Sequence, residues 1–296
     1  METLEMLGRK ITTTEALHSI VKTMKALAAV NIRQYEKAVA SLQEYNRAIE
    51  LGLQVVLRMS PESMATARTA PRGRVGAIVI GSDQGMCGAV NEQIVSHALE
   101  SLRACGIRRE DRTMMAVGLR VTTRLEDAGE FIEHVLPVPG SAESITPLVQ
   151  TLLITIEEWR AQRGVDRLLL FHNRFLSGAK YHPHSLQLLP LDVQWLRALE
   201  KKAWPSPVLP LFTMDRDRLF SRLIRQYLFV ALARACAESL ASENASRLAS
   251  MQNAERNIVE RFDELQAQFH QQRQTEITGE LLDIVAGFEA LDGARL

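Results

Sequence analysis

The sequence predicts an α/β chain: a long antiparallel coiled-coil hairpin, formed by the N- and C-terminal helices, with an inserted Rossmann-like α/β domain. A proline-free stretch from Asp215 to Leu291 has the composition of one long helix. The first sixty residues have a second helical periodicity, and strand-like and helix-like segments alternate in between. The expected ranges are 1–60 and 212–296 for the coiled-coil helices and 74–192 for the α/β domain.

The N-terminal helix is expected to end at Ser60, because Pro61 disfavours the helical conformation of the residue before it. Its apolar residues recur at steps of three, four and seven, which is typical of a stripe that packs against another helix. They are Leu7, Ile11, Leu17, Met24, Leu27, Ala28, Tyr35, Val39, Leu42, Ile49, Leu53 and Val56. Because two helices alone make a thin rod, part of this stripe is also expected to meet another protein. Residues 61–73, rich in Pro, Ala and Arg, form a linker.

Short apolar runs alternate with helix-like segments through the middle of the chain. Strands are expected at 75–80, 113–117, 131–135, 166–175 and 185–191, and helices at 91–103, 120–127 and 144–163. This alternation is typical of a mostly parallel sheet that helices cover on both faces.

The C-terminal helix has the alternating steps of four and three that mark the a and d positions of a coiled coil. The first run comprises Ile258, Phe262, Leu265 and Phe269, and the second comprises Ile277, Leu281, Ile284, Phe288 and Leu291. Polar residues 270–274 separate the two runs. From spacing alone, this interruption is either a solvated face on a locally twisted helix or a contact with a partner.

Composition narrows the class of protein. Lys plus Arg and Asp plus Glu number 35 each, so no net positive charge favours nucleic acid or anionic lipid. The N-terminus lacks the apolar core of a signal peptide, and no apolar run approaches the ~20 residues of a membrane-spanning helix. Three cysteines without C-x-x-C spacing indicate neither a disulfide framework nor a zinc site. We therefore expect a soluble intracellular protein without nucleic-acid partners or direct membrane insertion.

The glycine-rich loop from Gly81 to Asn91 follows the first strand, where phosphate-binding loops lie in α/β proteins. It has no lysine and lacks both G-x-x-x-x-G-K-[ST] and G-x-G-x-x-G, so its glycines more simply permit a tight turn and close helix–sheet contact. Cys87 has no histidine in a motif relation to it. His182-Pro183-His184, expected in a hairpin turn, lacks a third metal ligand. The sequence therefore predicts no catalytic residue, cofactor or metal site.

Four segments resemble the γ subunit of rotary F-type ATP synthases, across nearly the whole chain. The N-terminal segment of that family contains I-x-K-A-M-K-x-V-A-A, and it is similar to RKITTTEALHSIVKTMKALAAVNIRQ in this chain. The family also has a loop S-S-D-R-G-L-C-G-G-L-N, to which GSDQGMCGAVN is similar. SENASRLASMQNAERN and RQTEITGELLDIVAG match S-E-x-A-x-R-x-x-A-M-x-N-A-x-x-N and R-Q-x-x-I-T-x-E-L-x-E-I-V-x-G. The last two matches are long and specific.

The resemblance implies a rotor shaft inside a ring of three α and three β subunits. Such a shaft couples ion-driven rotation of the membrane-embedded c-ring to ATP synthesis or hydrolysis. The catalytic residues would belong to the β subunits, so this chain by itself would not be an enzyme. Its α/β domain would contact the ε subunit and the c-ring, placing it peripherally at the cytoplasmic face of a bacterial inner membrane.

The resemblance also implies particular contacts. Contacts with β subunits are implied for Met24, Lys25, Arg247, Arg273, Gln274 and Thr278. Ile284, Phe288 and Leu291 would run in a hydrophobic sleeve that acts as a bearing.

This chain departs from the family pattern at Gln84, Met86 and Ala89, which leaves the contacts of that loop open. The absence of the paired-cysteine insertion of the chloroplast form favours a bacterial-type subunit. Such divergence would suit an alternate, sodium-driven enzyme, and the coupling ion, H⁺ or Na⁺, stays open. Two other functions also stay open: a coiled-coil scaffold, and a nucleotide-dependent α/β enzyme that dimerises through its coiled coil.

Overall fold

The computed structural model describes residues 3–59, 73–177, 180–208 and 210–293, with side chains up to residue 286 except that of Ser177. The elements are α1 (Leu4–Met59), β1 (Arg74–Ile80), α2 (Val90–Ala104), β2 (Arg112–Val117), α3 (Leu119–Asp127), β3 (Ile132–Leu136), α4 (Ile145–Arg163), β4 (Val165–Ser177), β5 (Lys180–Leu189), α5 (Val193–Lys201) and α6 (Arg216–Gly293). A 3₁₀ turn, Arg109–Asp111, precedes β2. The linker expected at 61–73 lies outside the described residues except for Gly73.

The chain forms two compact units. Residues 28–247 form one, called here the α/β unit, and residues 1–27 with 248–296 form the other, called here the helical unit. Helices α1 and α6 contribute residues to both.

The sheet of the α/β unit has the strand order β3-β2-β1-β4-β5. Strands β1 to β4 are parallel, and β5 pairs antiparallel with β4. Ile78 at the centre of β1 pairs with Met115 of β2 and Leu170 of β4. The mostly parallel sheet expected from the alternating segments is therefore present, and every expected strand and helix between residues 75 and 191 has a counterpart.

Helices cover both faces of the sheet. Because successive residues of a strand point to opposite faces, alternate residues of β1 belong to two different cores. Ala77 and Val79 of β1 pack in a core with residues of α2 and α3. Ile78 and Ile80 pack in a second core, which contains α4 together with residues of α1 and α6. The long helices are therefore part of the second layer of this unit.

Helix α6 packs in that layer through small side chains, which let two backbones approach closely. Its buried alanines and serines include Ala237, Ala241, Ser242 and Ala245. The Ser242 hydroxyl lies 3.1 Å from the carbonyl oxygen of Asn173 in β4 and 2.8 Å from that of Glu238, one turn earlier. A larger side chain on this face would push the helix away from the sheet.

Helices α1 and α6 are antiparallel, as the sequence predicts. In the α/β unit, the Asn31 side chain forms a hydrogen bond with Asn244 at 3.4 Å, and the Tyr45 hydroxyl forms one with Gln226 at 3.0 Å. The residue numbers of the α6 partners therefore fall as those of α1 rise. In the helical unit, Leu7, Val21, Met251 and Leu265 are buried. The two terminal helices thus form the coiled-coil pair that defines the fold class.

Two positions of the expected apolar stripe of α1 are exposed. Leu17 is 49% exposed and Leu27 is 59% exposed, whereas Leu7 and Ala28 are buried. A pair of helices buries only one narrow face of each, so part of the stripe stays uncovered within this chain. Leu17 and Leu27 lie outside that face.

Helix α5 was not expected from the sequence. Its Leu196 and Leu199 pack with Ile49 and Leu53 of α1 and Val230 of α6. Asp192 caps its start by accepting a hydrogen bond from Gln194 N at 2.7 Å. This short helix covers the last turns of α1.

The close packing of α6 predicts a position-dependent response to a larger side chain. Ala237→Leu places three extra carbons in a filled core, so we expect the free energy of unfolding to fall by about 1–3 kcal/mol. Urea-induced unfolding followed by circular dichroism measures this change. Ala267→Leu, at an exposed position of the same helix, is the matched control, with an expected change within about 0.5 kcal/mol. Equal losses in the two variants would contradict the packing argument.

Candidate partner-binding surfaces

The residues that could suggest an enzyme do not come together. Among the described residues, no group of three or more His, Cys, Asp or Glu side chains is placed to hold a metal ion. Cys87 is 2% exposed, and its sulfur lies 3.5 Å from the Ser82 hydroxyl. This thiol is a packed loop residue rather than an accessible nucleophile.

His182 and His184 do not lie in a hairpin turn, and this expectation was wrong. They lie inside β5, where they pair with Arg174 and His172 of β4. Pro183 fits there because β5 is the edge strand, where a missing N–H costs no ladder bond. Pro183 suggested a turn, but the edge of a sheet accommodates proline equally well.

A buried ionic network joins β4 to α6, and no local sequence pattern indicates it. His172 Nε2 lies 3.1 Å from Glu238 Oε2, and Arg234 Nε donates to Glu238 Oε1 at 2.7 Å. Burial alone would raise the pKa of Glu238, but the hydrogen bonds from His172 and Arg234 bring that pKa below its usual value. The carboxylate therefore stays charged and ties the helix to the strand.

The loop from Gly81 to Asn91 is held by side chains at both ends. Asn91 Oδ1 accepts from Ser82 N at 2.9 Å, and Asp83 accepts from Leu119 N at 2.8 Å and from Val138 N at 2.9 Å. Asp83 thereby caps the N-terminus of α3, where a negative charge is favourable. The loop is a structural junction between β1, α2 and α3.

Two of the loop glycines are required where the sequence suggested. A Cβ on Gly81 would come within 2.4 Å of Val121 Cβ, and Gly88 has a φ of 62°. Gly85 is different, because a Cβ there would meet nothing closer than 3.9 Å. Close contact and tight turning thus account for Gly81 and Gly88.

Helix α6 also binds this loop. Ser246 Oγ donates to the Cys87 carbonyl at 2.6 Å, and Arg247 donates to the Gly85 carbonyl at 3.4 Å and to Glu243 at 2.6 Å. Burial raises the pKa of Glu243, although Arg247 opposes that rise. The Arg247 side chain is 9% exposed. It acts here as an internal clamp on the loop.

The clamped loop presents one large apolar side chain. Met86 is 64% exposed and has a φ of 58°, a left-handed conformation that is unfavourable for a residue with a side chain. Strained, exposed residues of this kind are concentrated at functional sites.

Met24 and Lys25 lie in the helical unit and are both half-buried. Lys25 Nζ forms an ion pair with Glu255 of α6, and His18 Nε2 lies 3.8 Å from the same carboxylate. The hydrogen bond from Lys25 is the main cause of a lowered pKa at Glu255. Lys25 therefore joins the two helices at this level.

Arg273, Gln274 and Thr278 are exposed, and they lie within two turns on α6. The Thr278 hydroxyl donates to the Gln274 backbone carbonyl at 2.8 Å, within the helix. This exposure is compatible with both explanations of the polar interruption, a solvated helix face and a contact with a partner.

The second apolar run of α6 is not buried by this chain. Ile277, Leu281 and Ile284 are 48%, 58% and 57% exposed. The first run differs, since Leu265 is 2% exposed and its neighbours in the run are half-buried. This chain alone therefore leaves Ile277, Leu281 and Ile284 uncovered, and the sleeve contact implied for Ile284 stays a prediction. The side chains of Phe288 and Leu291 lie outside the described residues.

Taken together, these observations define a class of chain in which two long antiparallel helices accompany a mostly parallel α/β sheet, with apolar side chains exposed near the end of α6. A family model described as ATP synthase matches residues 3–291. The chain therefore belongs to the ATP synthase family.

Individual relatives agree with this assignment. The chain is 28% identical to the ATP synthase gamma chain of Nostoc punctiforme, over 98% of this chain and 100% of the relative. It is also 28% identical to the ATP synthase gamma chain of Syntrophus aciditrophicus, over 98% and 99% of the two chains.

Solved structures share the fold. A chain in the Euglena gracilis mitochondrial ATP synthase (OSCP/F1/c-ring, rotational state 3) matches with a TM-score of 0.64 at 18% identity, covering 99% of this chain and 95% of that one. A chain of the Tetrahymena thermophila mitochondrial ATP synthase central stalk/c-ring matches with a TM-score of 0.54 at 23% identity, covering 79% and 99%. Across the described parts of this chain, no helix is long and apolar enough to cross a membrane.

The Arg247 clamp predicts a stability loss that depends on pH. Arg247→Ala leaves the buried Glu243 carboxylate unpaired, at an expected cost of about 3 kcal/mol near pH 7. The pKa of Glu243, already raised, rises further without the arginine. Because ionising a group with a raised pKa is unfavourable in the folded state, the loss grows as pH rises from about 4 to 7. Urea unfolding at pH 4, 5.5 and 7 measures it.

The matched control is Arg247→Ala combined with Glu243→Gln. Without the buried carboxylate, the double variant should lose the extra pH dependence and recover part of the stability. A single variant whose loss is the same at all three pH values would count against the clamp.

Proposed function

We propose that this chain is the central rotor shaft, the γ subunit, of an F-type ATP synthase. The observation that carries the proposal is the exposed apolar run Ile277, Leu281 and Ile284 at the end of α6, in a chain of the ATP synthase family. Three large apolar side chains at coiled-coil spacing require a partner surface. The hydrophobic bearing of a catalytic ring would provide that surface, with Phe288 and Leu291 continuing it.

Catalysis would belong to the β subunits, and this chain would control it by position. Only an interaction that differs between conformations can shift an equilibrium between them. The helical unit contains two antiparallel helices and therefore has no threefold axis. It would present a different face to each of three chemically identical β subunits, and rotation would move that difference from one subunit to the next.

Particular residues would make these contacts. We assign Met24 and Lys25 to the region where the shaft meets the β levers, and Arg273, Gln274 and Thr278 to a loop of a β subunit. The exposure of the last three supports their assignment. Arg247 would act indirectly, by holding the loop that exposes Met86.

The remaining partners would be the α subunits of the ring, the ε subunit and the c-ring, the last two through the α/β unit. Through them the chain would be a peripheral subunit at the cytoplasmic face of a bacterial inner membrane. Rotation driven by ion flow through the c-ring would drive ATP synthesis, and hydrolysis would drive the rotation in reverse.

The direct test is to purify this chain, with its partners, from its native membranes by an affinity tag. We expect subunits in the size class of the α and β subunits to co-purify with ATPase activity. Recovery of the chain alone, or paired only with itself, would contradict the rotor function and favour a coiled-coil scaffold.

Replacing Arg273 tests the contact with the β subunit. Removing a charge-assisted hydrogen bond made during rotation costs about 1.5–3 kcal/mol, so Arg273→Ala should slow ATP-driven rotation about tenfold or more without loss of assembly. Rotation of a bead attached to the complex measures this. Arg261→Ala is the matched control, because Arg261 lies on the same helix and already pairs with Glu264 at 2.8 Å. Normal rotation of the Arg273 variant would refute the assignment.

Replacing Met24 tests coupling. Met24→Lys introduces a charge at a half-buried position, so we expect at least about twofold fewer ions pumped per ATP hydrolysed as the packed contact loosens. The ratio of ion uptake to phosphate release in vesicles measures it. Met24→Leu preserves size and polarity and should retain the normal ratio. An unchanged ratio in Met24→Lys would exclude a packed contact there.

A further inference from the structure

A long groove runs over the surface of the α/β unit between α4 and the first turns of α6. Two adjoining cavities, of about 340 Å³ and 530 Å³, share Leu153 and Arg225. Their lining extends from Thr146 to Arg160 on α4, which is about 20 Å at 1.5 Å per residue. The groove is therefore as long as about four helical turns.

One end of this groove is strongly basic. Arg218, Arg222 and Arg225 follow one another at steps of four and three, so they lie on one face of α6. Arg160 of α4 lines the same cavity. Among the described residues lining that cavity, Glu157 is the single carboxylate, 3.5 Å from Arg225. Four guanidinium groups thus face one carboxylate, leaving an excess of positive charge.

The floor of the basic cavity is apolar, and the other end of the groove has both apolar and uncharged polar side chains. Leu153, Ile156 and Leu228 line the floor of the basic cavity. Ile154, which lines the second cavity, is 53% exposed. An occupant would therefore need an apolar stripe along its length and negative charge at the basic end.

We infer that this groove binds an acidic amphipathic helix of a partner protein. Two adjacent antiparallel helices leave a groove into which the side chains of a third helix can pack at 8–10 Å. Asp and Glu residues of that helix would face Arg218 and Arg222, while its apolar stripe would cover Leu153 and Ile154. The inference rests on the proposed function, because the partner would be another subunit of the assembled complex.

An anionic membrane surface fits this site less well. Membrane-surface helices insert large apolar side chains from the face beside their basic residues. On α6 the corresponding residues point into the protein, since Leu228 is 7% exposed and Ile224 is half-buried. The basic residues therefore have no apolar anchor of their own helix beside them.

Site-specific photo-cross-linking in the assembled complex tests the inference. Ser221→Cys places a thiol at an exposed position of the basic cavity, in a Cys105→Ser background, since Cys87 and Cys236 are buried. The thiol is labelled with benzophenone-maleimide, the complex is irradiated, and mass spectrometry identifies the cross-linked segment. We expect an acidic helical segment of one partner subunit.

Charge reversal supplies the second arm. Arg218→Glu combined with Arg222→Glu should lower the cross-link yield by about tenfold or more, because like charges would then face each other. Arg124→Glu is the matched control, since Arg124 is exposed on α3 and does not line the groove. It should leave the yield unchanged.

Three outcomes would overturn the inference: cross-links to lipid only, cross-links to a basic or non-helical segment, and an ATPase-active complex without any cross-link at this position. Failure to co-purify with ATPase partners would contradict the proposed function, and the inference with it. An ATPase-active complex without a cross-link would contradict only the inference about the groove and would leave the proposed function standing.

Discussion

The packing of α6 on the sheet is the interaction on which the α/β unit depends. Glu238, Ser242 and Ser246 follow at steps of four on α6, and they bond to His172, to the Asn173 carbonyl and to the Cys87 carbonyl. Small neighbours allow the close approach, and these polar contacts set the register of the helix. Because each of these three side chains has a partner across the interface, sliding the helix by one turn would leave them unsatisfied. The long helix is thus fixed in register on the domain.

The centre of the sheet could be predicted because β1 and β2 are buried on both faces and form continuous apolar runs bounded by turn residues. The polar stripe of α6 could not, since Glu238 and Ser242 resemble solvent-facing residues until a partner strand is known. Helix α5 was missed because nine residues give too few turns for a clear period. Leu17 and Leu27 belong to the expected apolar stripe, but their spacing suits a wider face than one partner helix covers, so both are exposed within this chain.

The candidate site was predicted unevenly. Motif resemblance selected exposed residues at Arg273 and Gln274, where sequence spacing alone left two explanations. It also selected Arg247, whose pair with Glu243 lies one turn away on the same helix, but the bond from Arg247 to the Gly85 carbonyl joins segments more than 150 residues apart in sequence. Local pattern carries no information about such pairs. The basic groove likewise requires α4 and α6 to be adjacent, which is known only from the packed structure.

The exposed run at the end of α6 has a consequence for the cell that makes this chain. Ile277, Leu281, Leu282, Ile284 and Val285 are each about half exposed or more, and contiguous apolar surface of this kind promotes self-association in water. Free copies in excess of their binding partners would be liable to aggregate and to be degraded. If partner proteins cover this segment as proposed, synthesis of the chain would have to be matched to theirs in amount and in time.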